Sequence, residues 1–144
     1  MQNPPPVQMS SQPPAQTAKS STGLDENVAA LLSYIAGWVT GLVFFLIEKD
    51  SRLVRFHAMQ SIILSGGGLV ILIALWVVVG ILSLIIGQIS GLLGFLVSMV
   101  AGLVATVIAI AILIGAIICL IKAYQGQYFK LPMIGNLAEK YSAK

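Results

Sequence analysis

The sequence predicts an all-α integral membrane protein, with three transmembrane helices behind a disordered N-terminal tail. Two uncharged runs carry that prediction. From Ala58 to Ile121, 64 consecutive residues contain no Asp, Glu, Lys, Arg or His, and Asn27 to Ile47 is a second such run. A water-facing helix needs a polar face, and these stretches offer none. Composition is the third observation. Hydrophobic residues make up 58% and charged residues 9%, against roughly 45–50% and about 25% in soluble domains. The 144 residues leave room for one small domain and no soluble catalytic core beside the membrane part.

Residues 1–23 hold five of the six prolines, mixed with Gln and Ser. Such a stretch has too little apolar surface to offset the entropy of ordering, so a disordered tail is expected, with polyproline II character around Pro4, Pro5 and Pro6. The membrane domain is expected over 24–144. Asp25, Glu26 and Asn27 suit the start of a helix. Val28 to Ile47 would then span about 30 Å, the thickness of the bilayer core. The segment from Glu48 to His57 is the most charged in the chain and is placed at the interface, with Ser51 as cap of the next helix. As one helix the 64-residue run would be about 96 Å long, so it must fold back. Gly87, Gln88, Ile89, Ser90 and Gly91 mark the turn. This gives long second and third passes, about 58–86 and 92–121, with a kink at Gly66, Gly67 and Gly68. Tyr124, Gln125 and Gly126 read as a helix stop. A short helix from Asn136 to Ser142 follows in a polar tail, 122–144.

Charge placement sets the expected orientation. Three passes put Lys49, Arg52, Arg55, Lys122, Lys130, Lys140 and Lys144 on one side and Lys19 alone on the other. The positive-inside rule then predicts a cell-membrane (inner-membrane) protein with its N-terminus outside and C-terminus cytoplasmic. The first pass must do its own targeting, because the N-terminus lacks a basic and apolar signal.

Small residues recur along two helices. Ser33, Gly37 and Gly41 lie four apart in the first, and Gly94, Ser98 and Gly102 in the last. Such stripes let helix backbones approach closely, either within the chain or in a homo-oligomer or larger membrane complex. Lys49, Arg52, Arg55, His57 and Gln60 cluster where the second helix starts, and are the candidate contact for anionic lipid headgroups or a partner. His57 has no second His or nearby Cys, so no metal site is expected. Cys119 is the single cysteine and has no intramolecular disulfide partner.

The chain has no Ser/His/Asp set, P-loop, HExxH or CxxC. No catalytic residue, cofactor, metal or nucleic-acid partner is expected, and the chain is read as a non-enzyme. No carboxylate or lysine lies within the spans, which weighs against ion-coupled transport.

The block from Asn27 to Trp38, then Phe44 to Lys49 and Val54 to Ser61, with Arg55-Phe56-His57-Ala58-Met59-Gln60, is a distinctive pattern. Lys122 to Gly126 and Lys130 to Gly135 complete it. This resembles a family of small bacterial and archaeal multi-pass membrane proteins of unknown function. That family is distantly grouped with the Tic-type component of chloroplast protein import. The resemblance implies a helical membrane protein and no known activity. The expected role is an accessory, assembly or interaction protein packing through small-residue faces. The alternative is a subunit of a transport or protein-translocation channel.

Overall fold

The computed structural model describes residues 18–143. Most of the expected disordered tail, residues 1–17, lies outside them. Among the described residues the regular secondary structure is helical, apart from one isolated bridge between Lys19 and Asp25. In chain order the elements are α1 (Glu26–Leu32), α2 (Trp38–Ile47), α3 (Arg52–Ser61), a π-helical segment (Ile62–Gly67), α4 (Gly68–Ile89), α5 (Gly91–Tyr124) and α6 (Ile134–Ser142).

The first apolar run differs from the expected single pass. It forms two short helices, α1 of 7 and α2 of 10 residues, about 10 and 15 Å long. The break lies over Ser33–Gly37 and has a local cause. Gly37 adopts φ 59°, ψ −129°, a conformation that L side chains resist. The backbone groups freed there find partners, as they must in an apolar setting. Thr40 Oγ1 accepts from Ala36 N and donates to Ser33 O, both at 3.1 Å. The Gly37 carbonyl accepts from Ser61 Oγ at 3.0 Å.

The two ends of this run meet. Ser51 Oγ donates to Glu26 Oε2 at 2.9 Å, and Ser21 Oγ donates to Glu48 Oε1 at 2.8 Å. Residues 26–48 are therefore a helical hairpin that returns to the end where it began. The stripe is corrected with it: Gly37 lies in the turn, not on a helix face. Gly41 does make a close approach, since an added Cβ would sit 2.9 Å from Ala58 O. Ser33 is fully buried.

Two helices are long and apolar enough to cross a bilayer: Arg52–Ile89, continuous through the π segment, and Gly91–Tyr124. They have 38 and 34 residues, so about 57 and 51 Å. Only 6% of their most apolar windows is buried inside the molecule. A core helix of a soluble protein would be mostly covered, so these faces meet lipid or other protein. Ser90 alone makes the turn between them. Its extended backbone (φ −153°) ends α4, and its Oγ accepts from Leu93 N. Beside it Gly94 lets α5 touch α4, where an added Cβ would lie 2.9 Å from Ser83 O. Ser98 Oγ and Ser83 Oγ are in hydrogen-bond contact at 2.9 Å. At Gly102 an added Cβ meets nothing, so the stripe is used in-chain only in part.

At the glycine triplet, where a kink was expected, the helix is π-helical over Ile62–Gly67 and returns to α-helix at Gly68. Gly66 leaves room for Trp38, whose Cβ is 3.2 Å from an ideal Gly66 Cβ. The hairpin tip therefore packs where the helix is widened. Helix α5 stops at Tyr124, with Gly126 at φ 68°. Helix α6 starts at Ile134, two residues before the expected Asn136.

A small core of Ala29, Ala30, Tyr34, Leu53, Val54, Cys119 and Ala123 joins α1, α3 and the end of α5. Residues 18–23, expected in the tail, form an ordered turn on Glu48. The N-terminal turn, the 48–51 loop and the 125–143 segment thus gather at one end of the molecule. Lys19 lies there with the other described cations, which removes the basis for an odd number of passes.

Candidate functional site

Helix α3 reads Arg-Leu-Val-Arg-Phe-His-Ala-Met-Gln-Ser, polar on more than one side. Alone in water it would expose those groups. Here α1, α2, α6 and the chain after α5 wrap it, and all its residues but Arg52 and Met59 are buried. A buried polar group needs a partner, and most of these find a main-chain carbonyl in a different segment.

Arg55 Nη1 donates to Glu48 O at 2.8 Å and to Phe45 O at 3.4 Å, and Nε donates to Ser142 O at 3.4 Å. The guanidinium lies 4.6 Å above the Phe45 ring centroid. One side chain thus closes the C-terminal ends of α2 and α6, where a cation suits the helix dipole. His57 Nε2 lies 2.9 Å from Gln127 O. A carbonyl only accepts, so Nε2 carries the proton and Nδ1 accepts from Tyr34 OH at 3.2 Å. Gln60 Nε2 donates to Phe129 O at 3.2 Å and to Cys119 Sγ at 3.0 Å. Gln60 Oε1 is buried with no partner among the described residues.

Ser51 caps α3 as expected, its Oγ accepting from Val54 N at 3.3 Å. Beside it Glu48, fully buried, gathers the loop. Its carboxylate accepts from Ser21 N and Oγ, Asp50 N and Ser51 N at 2.8–3.1 Å. Burial pushes the Glu48 carboxyl up, but these donors together outweigh it and hold it at about 2, against an ordinary 4.5. The folded value lies below the unfolded one, so the clamp stabilises fully above about pH 4.5 and is lost as pH falls toward 2. Protection of the Asp50 and Ser51 amides, measured against their intrinsic exchange rates, should therefore fall on acidification through that window. Glu48→Gln should exchange fast throughout, with no such step. Tyr128, beyond α5, has its hydroxyl pushed up by burial and by nearby Glu26, partly offset by Arg52.

The expected headgroup cluster therefore divides. Lys49 and Arg52 are exposed. Arg55, His57 and Gln60 are buried and committed to Glu48, Ser142, Gln127 and Phe129, so direct headgroup contact is corrected for these three. Glu48, Ser21, Tyr34 and Gln127 were not singled out from sequence. Glu48 reads as an ordinary interfacial charge, and Gln127 acts through its backbone, which leaves no side-chain signal. Among the described residues no group of three or more His, Cys, Asp or Glu gathers as a metal site.

A fold of two long lipid-length helices on a base of short helices, tied by buried side-chain-to-backbone bonds, defines a helical membrane protein. The chain belongs to the MamF/MmsF family, described as the magnetosome magnetite crystal formation protein family, whose model matches residues 23–138. It is 44% identical to a UPF0132 membrane protein of Methanocaldococcus jannaschii, over 86% of this chain and 94% of the relative. It is 40% identical to a UPF0132 membrane protein of Archaeoglobus fulgidus, over 81% and 95% of the two chains. No solved structure matches.

Proposed function

We propose that this protein is a non-enzymatic assembly or accessory protein of the cell membrane. It crosses twice, through α3–α4 and α5, and inserts α1–α2 as a re-entrant hairpin. Both described ends sit on the cytoplasmic face. The carrying observation is how the polar side chains are used. Arg55, His57 and Gln60 hold main-chain carbonyls of neighbouring segments, which makes a rigid base. Above it α4 and α5 present long apolar faces, with glycines such as Gly80 and Gly102 where an added Cβ would meet nothing. Small residues on open faces suit packing against another membrane helix. The family description names crystal formation and the relatives are named membrane proteins; a shared role in a membrane assembly accommodates both.

The distant resemblance to a plastid import component raises a channel subunit as the second reading. The use of the span hydroxyls does not favour it. Ser61, Ser65, Ser98 and Thr106 donate to carbonyls within the chain, so they are poorly placed to line a pore.

A photo-crosslinking residue at Leu103, which is exposed, tests the assembly reading in native membranes. Discrete protein adducts are expected, and Gly102→Leu should abolish them while leaving the isolated chain folded. Lipid adducts alone would overturn the reading. Gly41→Leu should instead destabilise the isolated chain, because overpacking at the Ala58 carbonyl typically costs about 1–3 kcal/mol.

Topology is tested separately. Single cysteines replacing Lys19, Lys49 and Gln88 in a Cys119→Ala background are treated with a membrane-impermeant reagent. Lys19 and Lys49 should label from one face and Gln88 from the other. Labelling of Lys19 together with Gln88 would restore a third crossing.

A further inference from the structure

A cleft of about 430 Å³ opens between α3 and α6, lined by Arg52, Phe56, Tyr128, Glu139, Ser142 and Ala143. Pockets for small ligands are commonly about 300–1,000 Å³. Arg52 is its one lining cation, and among the described residues it has no salt-bridge partner. The lining carboxylate, Glu139, is held by Lys130 Nζ at 2.8 Å. Glu26, the carboxylate that acts on Tyr128, accepts from Ser51 Oγ at 2.9 Å. Arg52 is also the first residue of α3, where the helix dipole adds positive potential to the guanidinium's own. An anion in the cleft relieves both. One wall is aromatic: the Phe56 and Tyr128 rings stand 5.6 Å apart, centroid to centroid.

The level of the cleft narrows the ligand. Leu46 and Ile47, at the end of α2, are 67% and 46% exposed, and the charged 48–52 segment follows at once. The apolar surface gives way to polar surface at this height, which is headgroup depth. We propose that this cleft binds an anionic phospholipid. The phosphate sits on Arg52 with the Tyr128 hydroxyl as a second donor, and the upper acyl chain lies against the exposed Tyr128 ring. The proposal rests on the membrane placement of this end and not on which face of the membrane it occupies.

The test uses the purified full chain in neutral detergent, with lipid retention read by native mass spectrometry. Phosphatidylglycerol should be retained over phosphatidylcholine. A basic residue near an anionic surface contributes about 1 kcal/mol, which is about fivefold in binding. Arg52→Gln should therefore weaken phosphatidylglycerol retention about fivefold, and Tyr128→Phe should weaken it less. Lys140→Gln, outside the lining, should leave it unchanged. Arg52 is exposed, so its replacement should not disturb folding. Equal retention by wild type and Arg52→Gln would overturn the proposal. So would displacement of the lipid by millimolar inorganic phosphate, which would mark a free-anion site. A topology result placing Lys19 opposite Lys49 would sink the hairpin reading and leave this binding ratio standing.

Discussion

Gly37→Ala is expected to lower the stability of the purified protein by about 2–3 kcal/mol. Two costs combine. A non-glycine residue held in a sparsely populated backbone region costs about 1–3 kcal/mol, and Gly37 sits at φ 59°, ψ −129°. The new Cβ would also lie 2.9 Å from Ser65 Oγ, closer than real Cβ atoms approach. The hairpin then cannot close against the π segment, and Ser61 Oγ loses the carbonyl it donates to. The matched control is Gly80→Ala. Gly80 is helical within α4 and meets nothing within 4 Å of an added Cβ, so the change should be neutral or slightly stabilising. Denaturant titration of both variants in detergent checks this. If Gly37→Ala matches Gly80→Ala, the first apolar run is a continuous helix and the hairpin is wrong.

Arg55→Met should cost a similar amount, about 2–4 kcal/mol, and its effect should appear far along the chain. Methionine keeps the apolar stem over Phe45 but removes every donor. Hydrogen bonds from charged groups contribute about 1.5–3 kcal/mol, and the orphaned buried carbonyls of Glu48 and Ser142 add their desolvation. Helix α6 is tied to α3 at Ser142 by Arg55 Nε, so amide exchange in residues 134–142 should rise well before the α4–α5 hairpin opens. Arg55→Lys should recover only part, because one ammonium cannot reach the carbonyls of both α2 and α6. Unchanged exchange in α6 with Arg55→Met would show that Arg55 does not hold it.

The residues that were legible are those whose physics is local. Ser51 was readable as a cap because a serine before a helix start has one obvious use. The fold-back near Ser90 followed from length, since no single helix of 64 residues fits a bilayer. The glycine triplet announced a distortion without saying that it would be a π segment. The candidate site was legible as a cluster, with Arg52, Arg55, His57 and Gln60 close in sequence, but not in its roles. Three-apart spacing places Arg52 and Arg55 on nearby parts of α3 without saying which one another element will cover. Only the docking of α6 and α2 buries Arg55 and leaves Arg52 beside the cleft.

The sequence by itself determined that this chain is a helical membrane protein, because 64 uncharged residues have no stable place in water. It also determined where the long helices turn and end, through glycine, serine and length. Tertiary structure decided the path of the first apolar run. A hairpin and a crossing helix bury the same residues in the same apolar setting, so composition does not separate them. Beside the glycine conformation at 37, the bonds from Ser61 to Gly37 and from Ser51 to Glu26 and the clamp of Ser21 on Glu48 link residues 24 to 27 positions apart. Contacts at that separation form only once the helices have packed, and they place both arms of the hairpin at the same end.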